Sequence, residues 1–224
     1  MSSRLFELFE DSQVVRRIQS KLPLLFEMAE LQSSRAGKIG MEVGSVRERI
    51  IVALLMHKFG AENVGIDLGI TEPEIDATLF GEPISIKTIS SKSKTGISGV
   101  KAVWTVDAES ARGFVNSYYP LADMLLVQIK WEVDEDYISK GASPGGVFLI
   151  PRNVQEQTLD SLGRSLYFNL PKPGTNPRGV EFSGQALIEL IAHEDTRFIK
   201  VIWRRSEPQF APYKVWLDHW NEHG

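Results

Sequence analysis

The chain contains no cysteine, which excludes disulfides and thiolate metal sites and fits the reducing conditions of a cytoplasm. No apolar run approaches the ~18 residues that cross a bilayer, so no membrane segment is expected. The opening residues, "MSSRLFELFEDSQ", lack the basic flank and apolar stretch of a secretory leader. Positive charge is not in excess either: 25 Lys and Arg stand against 29 Asp and Glu, a net charge of -4. That balance argues against blanket nucleic-acid affinity, although a local basic cleft remains open. Histidine is scarce and scattered, at His57, His193, His219 and His223. No pair has metal-ligand spacing, which argues against a zinc site or a Ser-His-Asp hydrolase. The glycines form neither a phosphate-binding loop nor a dinucleotide fingerprint, and no repeat or low-complexity tract is visible. What remains is a 224-residue chain, 42% apolar and 24% charged, with the composition of a soluble globular protein and enough length for one substantial core.

Apolar spacing predicts one or two helices over residues 3–32, broken near Pro23. A small-residue connector, "QSSRAGKIGMEVGS", leads into "SVRERIIVALLMHKFG". Here Ser45 reads as an N-cap, Glu48 as its capping-box partner and Gly60 as the stop. Residues 63–68, 75–80 and 84–89 read as strands, 91–102 as a polar loop, and "TVDAESARGFVNSYY" as a helix capped by Thr105 or Asp107. "DMLLVQIKW" is a continuous apolar strand, the kind buried on both faces. After the acidic "EVDED" come a strand "GVFLIP", a helix near 152–162, the loop "PKPGTNPRG", a helix near 183–192 and a strand "FIKVIW". The expected fold is α/β (α+β), a mixed sheet flanked by helices. Its core order is helix, strand, strand, strand, helix, strand, with helices ahead of it. We expect one domain over 1–224, with an N-terminal helical part (1–40), a core (45–131) and a C-terminal part (132–224).

The stretch "EIDATLFGEPISIKTIS" places one carboxylate and one ammonium, Asp76 and Lys87, on short apolar strands. A hairpin centred on Gly81 and Glu82 would set Lys87 opposite Asp76 and Ser85 opposite Thr78, with directly opposed side chains ~5 Å apart. These four residues would then share one polar face, as an ion pair or around a shared ligand. Beyond Lys87, "KTISSKSKTGISGVK" holds four Lys and no acid, a local basic strip suited to phosphate contacts.

Asp76 followed by Ser85-Ile86-Lys87, on a hairpin after the helix 45–59, resembles the PD-(D/E)xK nucleases, and the order of elements over roughly 45–131 resembles their core. Length and architecture resemble a type II restriction endonuclease. "GVKAVWTVDAESA", "MLLVQIKW" and "KPGTNPRGVEFS" resemble the ThaI-type group. The resemblance implies Mg²⁺-dependent phosphodiester hydrolysis at a specific, short, palindromic double-stranded DNA site, CGCG for the ThaI type, by a homodimer in a prokaryotic cytoplasm. It implies Asp76 and the Ile86 backbone carbonyl as metal ligands, with Lys87 positioning or deprotonating the attacking water. Ser85 departs from the motif, which usually has Asp or Glu there and so leaves the site short of one carboxylate. Glu48 is the first candidate to supply it, although a capping box would also account for Glu48; Glu74 is the second candidate. The departure also permits a DNA-binding domain with a decayed site. A repair or junction-resolving nuclease of the same fold is a further alternative.

For DNA contacts, Lys92, Lys94 and Lys101 are the phosphate candidates. Arg35, Lys38, Asn176 and Arg178 carry groups able to read base edges, and Met41 could wedge against a base step. The aromatic end "APYKVWLDHWNEHG" reads as a packing helix or a dimer contact.

Overall fold

The computed structural model describes residues 4–35, 38–39, 42–67, 74–90, 97, 99–103, 105, 107–131, 133, 135–140, 142–170 and 179–206. Helix α1 (Glu7–Glu10) is followed at once by α2 (Ser12–Gln32), because Asp11 caps the latter: its Oδ1 accepts from the N–H groups of Gln13 (2.9 Å) and Val14 (3.2 Å). The break therefore falls at Asp11, and α2 runs through Pro23 where the sequence suggested an interruption. A proline inside a helix costs about 3 kcal/mol. Here Val14, Ile18, Leu22, Phe26 and Ala29 form one buried stripe on both sides of it, and that burial outweighs the lost hydrogen bond.

Two short strands, β1 (Ser34–Arg35) and β2 (Lys38–Ile39), pair with each other before α3 (Val43–Phe59). Helix α3 begins at Val43, so Ser45 and Glu48 lie within it and no side chain caps its start. The capping-box reading of Glu48 is thereby corrected. Gly60 ends the helix as expected, at φ 91°. Then come β3 (Val64–Gly65), β4 (Ala77–Leu79), β5 (Glu82–Ser90) and β6 (Val100–Val103), the last lying where a loop was expected. Helix α4 (Ala108–Ser117), capped by Asp107, leads to β7 (Asp123–Ile129), α5 (Glu135–Ser139), β8 (Gly146–Ile150) and α6 (Arg152–Leu162). The remaining elements are α7 (Arg164–Tyr167), β9 (Phe168–Asn169), β10 (Val180–Phe182), α8 (Gly184–Ala192) and β11 (Arg197–Lys200).

Six strands form the main sheet in the order β11-β8-β7-β5-β4-β3. Only β5 and β7 are parallel, joined by a crossover that contains α4; the other neighbours are antiparallel. The expected helix-strand-strand-strand-helix-strand core is thus present in a mixed sheet. Alternation along β5 sends Ile84 and Ile86 to one face, where they join Leu125, Val127 and Leu149 beneath α2 and α3. Ile89, Met124 and Leu126 take the other face, packed with Ala111, Val115 and Tyr118 from α4 and its end, and with Val154 of α6. A second sheet, β6-β10-β9, lies within that second core.

The β4–β5 hairpin turns one residue earlier than expected. Phe80 (φ 51°) and Gly81 (φ 84°) occupy the turn, and Leu79 pairs with Glu82, Thr78 with Pro83 and Ala77 with Ile84. Positive φ at both central residues is the signature of a tight two-residue hairpin. In this register Pro83 falls at a pair that exchanges no hydrogen bonds, so its missing N–H costs nothing there. Ser85 consequently does not face Thr78, and Lys87 is not directly opposite Asp76.

Candidate active site

Strand β4 begins at Ala77, and Asp76, just ahead of it, extends the pairing with a side chain. The Asp76 backbone N–H donates to the Ile84 carbonyl (2.9 Å), although Ile84 pairs with Ala77. This offset lets the carboxylate reach along β5: Asp76 Oδ2 accepts from the Ile86 N–H (2.6 Å) and from Lys87 Nζ (2.9 Å). Asp76 and Lys87 therefore meet as the sequence suggested, by side-chain reach instead of by register. In an antiparallel ladder a residue's N–H and C=O point to the same side, so the Ile86 carbonyl shares the edge on which Asp76 sits. Lys87 is only 7% exposed and Ser85 1%. The Ser85 hydroxyl is buried without a hydrogen-bond partner among the described residues.

Two further carboxylates flank this pair, on opposite sides. Glu48 of α3 lines a cleft of about 430 Å³ with Ser45, Arg49, Val52, Ile66 and Asp76. Burial raises the Glu48 pKa above its ordinary value, and the Asp76 charge adds to that, while Lys87 opposes it. Glu74 lies on the α4 side and is 4% exposed. Its Oε1 accepts from the Tyr118 hydroxyl at 2.5 Å. Burial again raises its pKa, opposed by the Tyr118 hydrogen bond, the Lys87 charge and the Leu121 N–H. The phenol of Tyr118 is in turn pushed well above its usual range, chiefly by burial and then by the neighbouring Glu74. Three carboxyl groups thus stand around one ammonium, and an added cation would favour the charged forms that burial disfavours.

Among the described residues no three His, Asp or Glu side chains converge on one point as a preformed metal cluster. The donors present are carboxylate and carbonyl oxygens, the hard ligands that Mg²⁺ takes. This ion keeps several waters and is commonly held by one or two carboxylates plus substrate phosphates.

The other residues singled out from the sequence are more dispersed. Lys101 lies on β6, its Nζ donating to Glu181 Oε1 of β10 at 2.9 Å. Arg35 and Lys38 pair through their backbones in the β1–β2 ribbon. Met41, Lys92, Lys94, Asn176 and Arg178 lie outside the described residues, as does the aromatic end over 211–224. The sequence reading missed Tyr118 and Arg49 altogether. The Tyr118–Glu74 contact spans 44 residues, and no local pattern announces it. Arg49 is the neighbour of Glu48 on a helix whose apolar residues run all round it.

A mixed sheet with one parallel central pair, a crossover helix, and an Asp and a Lys meeting across its hairpin beside a helix that presents Glu48 to the same cleft defines a nuclease of the PD-(D/E)xK, restriction-endonuclease class. The sequence model of the family described as "Restriction endonuclease ThaI" matches residues 8–222. A solved structure described as "Restriction endonuclease in complex with substrate DNA" superimposes with a TM-score of 0.84 at 50% identity, covering 98% of this chain and 100% of that one. No curated protein matches the chain. The chain belongs to the ThaI restriction endonuclease family and is a type II, site-specific DNA endonuclease.

Proposed function

We propose that this endonuclease hydrolyses phosphodiester bonds at a short palindromic double-stranded DNA site with Mg²⁺ as cofactor, acting as a homodimer in a prokaryotic cytoplasm, with the whole chain as one endonuclease domain. The observation that carries this reading is the Asp76 carboxylate. It holds both Lys87 Nζ and the Ile86 N–H while facing Glu48 across the cleft. Asp76, Glu48 and the Ile86 carbonyl would hold the cation, and Ser85, at the motif's acid position, adds a buried hydroxyl without a partner among the described residues. When bound, the ion supplies Lewis acidity toward the scissile phosphate and lowers the pKa of a water in its shell.

The chain's own residues do the rest. Asp76 fixes the Lys87 ammonium, so that its remaining N–H groups are available to orient the attacking water or hold a phosphoryl oxygen. Val52, Ala53, Met56 and Ile66 give the cleft apolar walls beside the two carboxylates, which strengthens charge interactions there. Lys92, Lys94 and Lys101 are assigned to neighbouring phosphates. Arg35, Lys38, Asn176 and Arg178 are assigned to base edges, and Met41 to a base step. A two-fold dimer would present the same loops to both half-sites.

Incubating the protein with phage DNA and Mg²⁺ tests this. Discrete bands at CGCG sites are the expected result. Absence of cleavage with retained binding would indicate the decayed-site reading, which Ser85 at the motif's acid position favours. Structure-dependent nicking would indicate a repair enzyme.

A further inference from the structure

We propose that Arg49 of α3 holds the DNA phosphate next to the scissile one on the cleaved strand. The inference rests on the active-site reading above and adds a substrate contact to it. Ser45, Glu48, Arg49, Val52, Ala53 and Met56 recur every three or four residues, so they form one face of α3, and that face lines the cleft with Asp76 and Ile66. Burial of Arg47, Ile51 and Leu55 on the other side fixes the helix in this rotation. Glu48 and Arg49 are consecutive, and consecutive helical residues project about 100° apart. Glu48 feels the charges of Asp76 and Lys87, so Arg49 points to a different part of the same cleft. It is exposed there, and it reaches a neighbouring phosphate instead of the one being cut.

Arg49 has no acid of its own to pair with. Arg4 and Arg152, also exposed, bond Glu7 and Glu156, three and four residues further on. At those spacings Arg49 has Ser45 and Val46 before it and Val52 and Ala53 after it. It has no hydrogen-bond or ion-pair partner among the described residues. Asp76, across the cleft, is taken by Lys87 and the Ile86 N–H. Among the described residues that line the cleft, Arg49 is the one cation, set beside two carboxyl groups. A phosphate entering this cleft meets those two acids and needs a positive group that is not already bonded. A guanidinium meets that need with a planar fork of donors that bonds two phosphate oxygens at once.

The test measures binding of the metal-free enzyme to a duplex carrying its mapped cleavage site, so that affinity is read without cleavage. Single methylphosphonates, which are neutral, replace the scissile phosphate or one of its neighbours in turn. Arg49→Ala should weaken binding to the unmodified duplex about tenfold or more, the worth of a charge-assisted hydrogen bond, and flatten the salt dependence by about 0.9 for each phosphate released. The unaltered enzyme should lose affinity for a methylphosphonate beside the scissile position. Arg49→Ala should lose nothing further there, while keeping its sensitivity at the other positions. Arg49→Lys should keep the salt dependence and recover only part of the affinity, because an ammonium lacks the fork. Thermal melting should be alike for all three proteins, since alanine and lysine suit an exposed helical position. Losses that add at every phosphate, or unaltered affinity in Arg49→Ala, would overturn the inference. Loss of sensitivity at the scissile phosphate itself would overturn the assignment to its neighbour. Asp76→Ala separates this contact from the reading beneath it: cleavage by that variant would remove the active-site assignment, whichever way Arg49 behaves.

Discussion

Replacing Arg47 by methionine should destabilise the protein by an amount that the structure allows to be worked out. Arg47 sits on α3 immediately before Glu48 and is buried. Its guanidinium donates to Glu30 Oε1 of α2 and to Ser90 Oγ at the end of β5 (2.9 Å). The same Glu30 accepts from Trp131 Nε1 (2.7 Å) and from Arg205 Nη2 (2.8 Å). Burial pulls the Arg47 guanidinium below its usual range, and the Glu30 charge opposes that. Breaking a buried ion pair on one side costs about 3–5 kcal/mol, because the other charge is left uncompensated. Glu30 here keeps Trp131 and Arg205, which points to the lower end, about 3 kcal/mol. At about 2–4 °C per kcal/mol for a chain of this size, Tm should fall by roughly 6–12 °C. Thermal melting followed by circular dichroism reads this directly. A companion variant, Glu30→Met with Arg47→Met, should cost less than the sum of its parts, since it leaves no charge stranded between them. A single variant that melts within about 2 °C of the parent, or a double variant whose losses add, would refute the reasoning.

Glu48→Gln should lower the cleavage rate at least about tenfold, a barrier change of about 1.4 kcal/mol, while raising metal-free stability at pH 8. The sign follows from the raised Glu48 pKa: the stabilising contribution exists while the proton is bound, below the unfolded value, and is lost as pH rises through the folded value. The gap in Tm should close toward acid pH; a less stable Glu48→Gln at pH 8 would contradict it. Alanine at Lys92, Lys94 and Lys101 together should flatten the salt dependence of DNA binding by about 0.9 for each phosphate no longer neutralised. The change should correspond to about three phosphates, and an unchanged slope would remove the basic strip from the interface. Gly81→Ala has open space for its Cβ but sits at φ 84°, so it should cost about 1–2 kcal/mol in denaturant melts. Its cleavage rate should stay unchanged, and a loss of activity at equal stability would show that the turn does more than close the hairpin.

The elements that could be read from the sequence are those whose pattern is local. Helix α3 announces its end with Gly60, and β7 and β8 announce themselves as continuous apolar runs because both faces of the sheet are covered. Asp76 and Lys87 could be paired despite a wrong register, since moving the turn by one residue shifts cross-strand partners by two, which keeps Lys87 on the same face and within reach of the Asp76 carboxylate. The turn was misplaced because Phe80, an aromatic residue, takes the positive φ normally left to Asn, Asp or Gly. Ser45 and Glu48 imitate a capping box inside a helix that starts earlier. Strands β6, β9 and β10 have two to four residues each, too few for alternation to register, and they pair across long stretches of chain. The Glu74–Tyr118 contact and the Glu30–Arg47–Trp131–Arg205 cluster are tertiary throughout, so only the folded chain brings them together.

The central claim is that Asp76 and Lys87 act on the scissile phosphate and not on the bases. Its most direct test is digestion of phage DNA with Mg²⁺ by Asp76→Ala and by Lys87→Ala, alongside gel-shift binding to a duplex carrying the cleavage site. Both variants should leave the DNA intact while binding that duplex close to wild-type affinity. Normal turnover by either one would contradict the assignment of this hairpin as the catalytic centre.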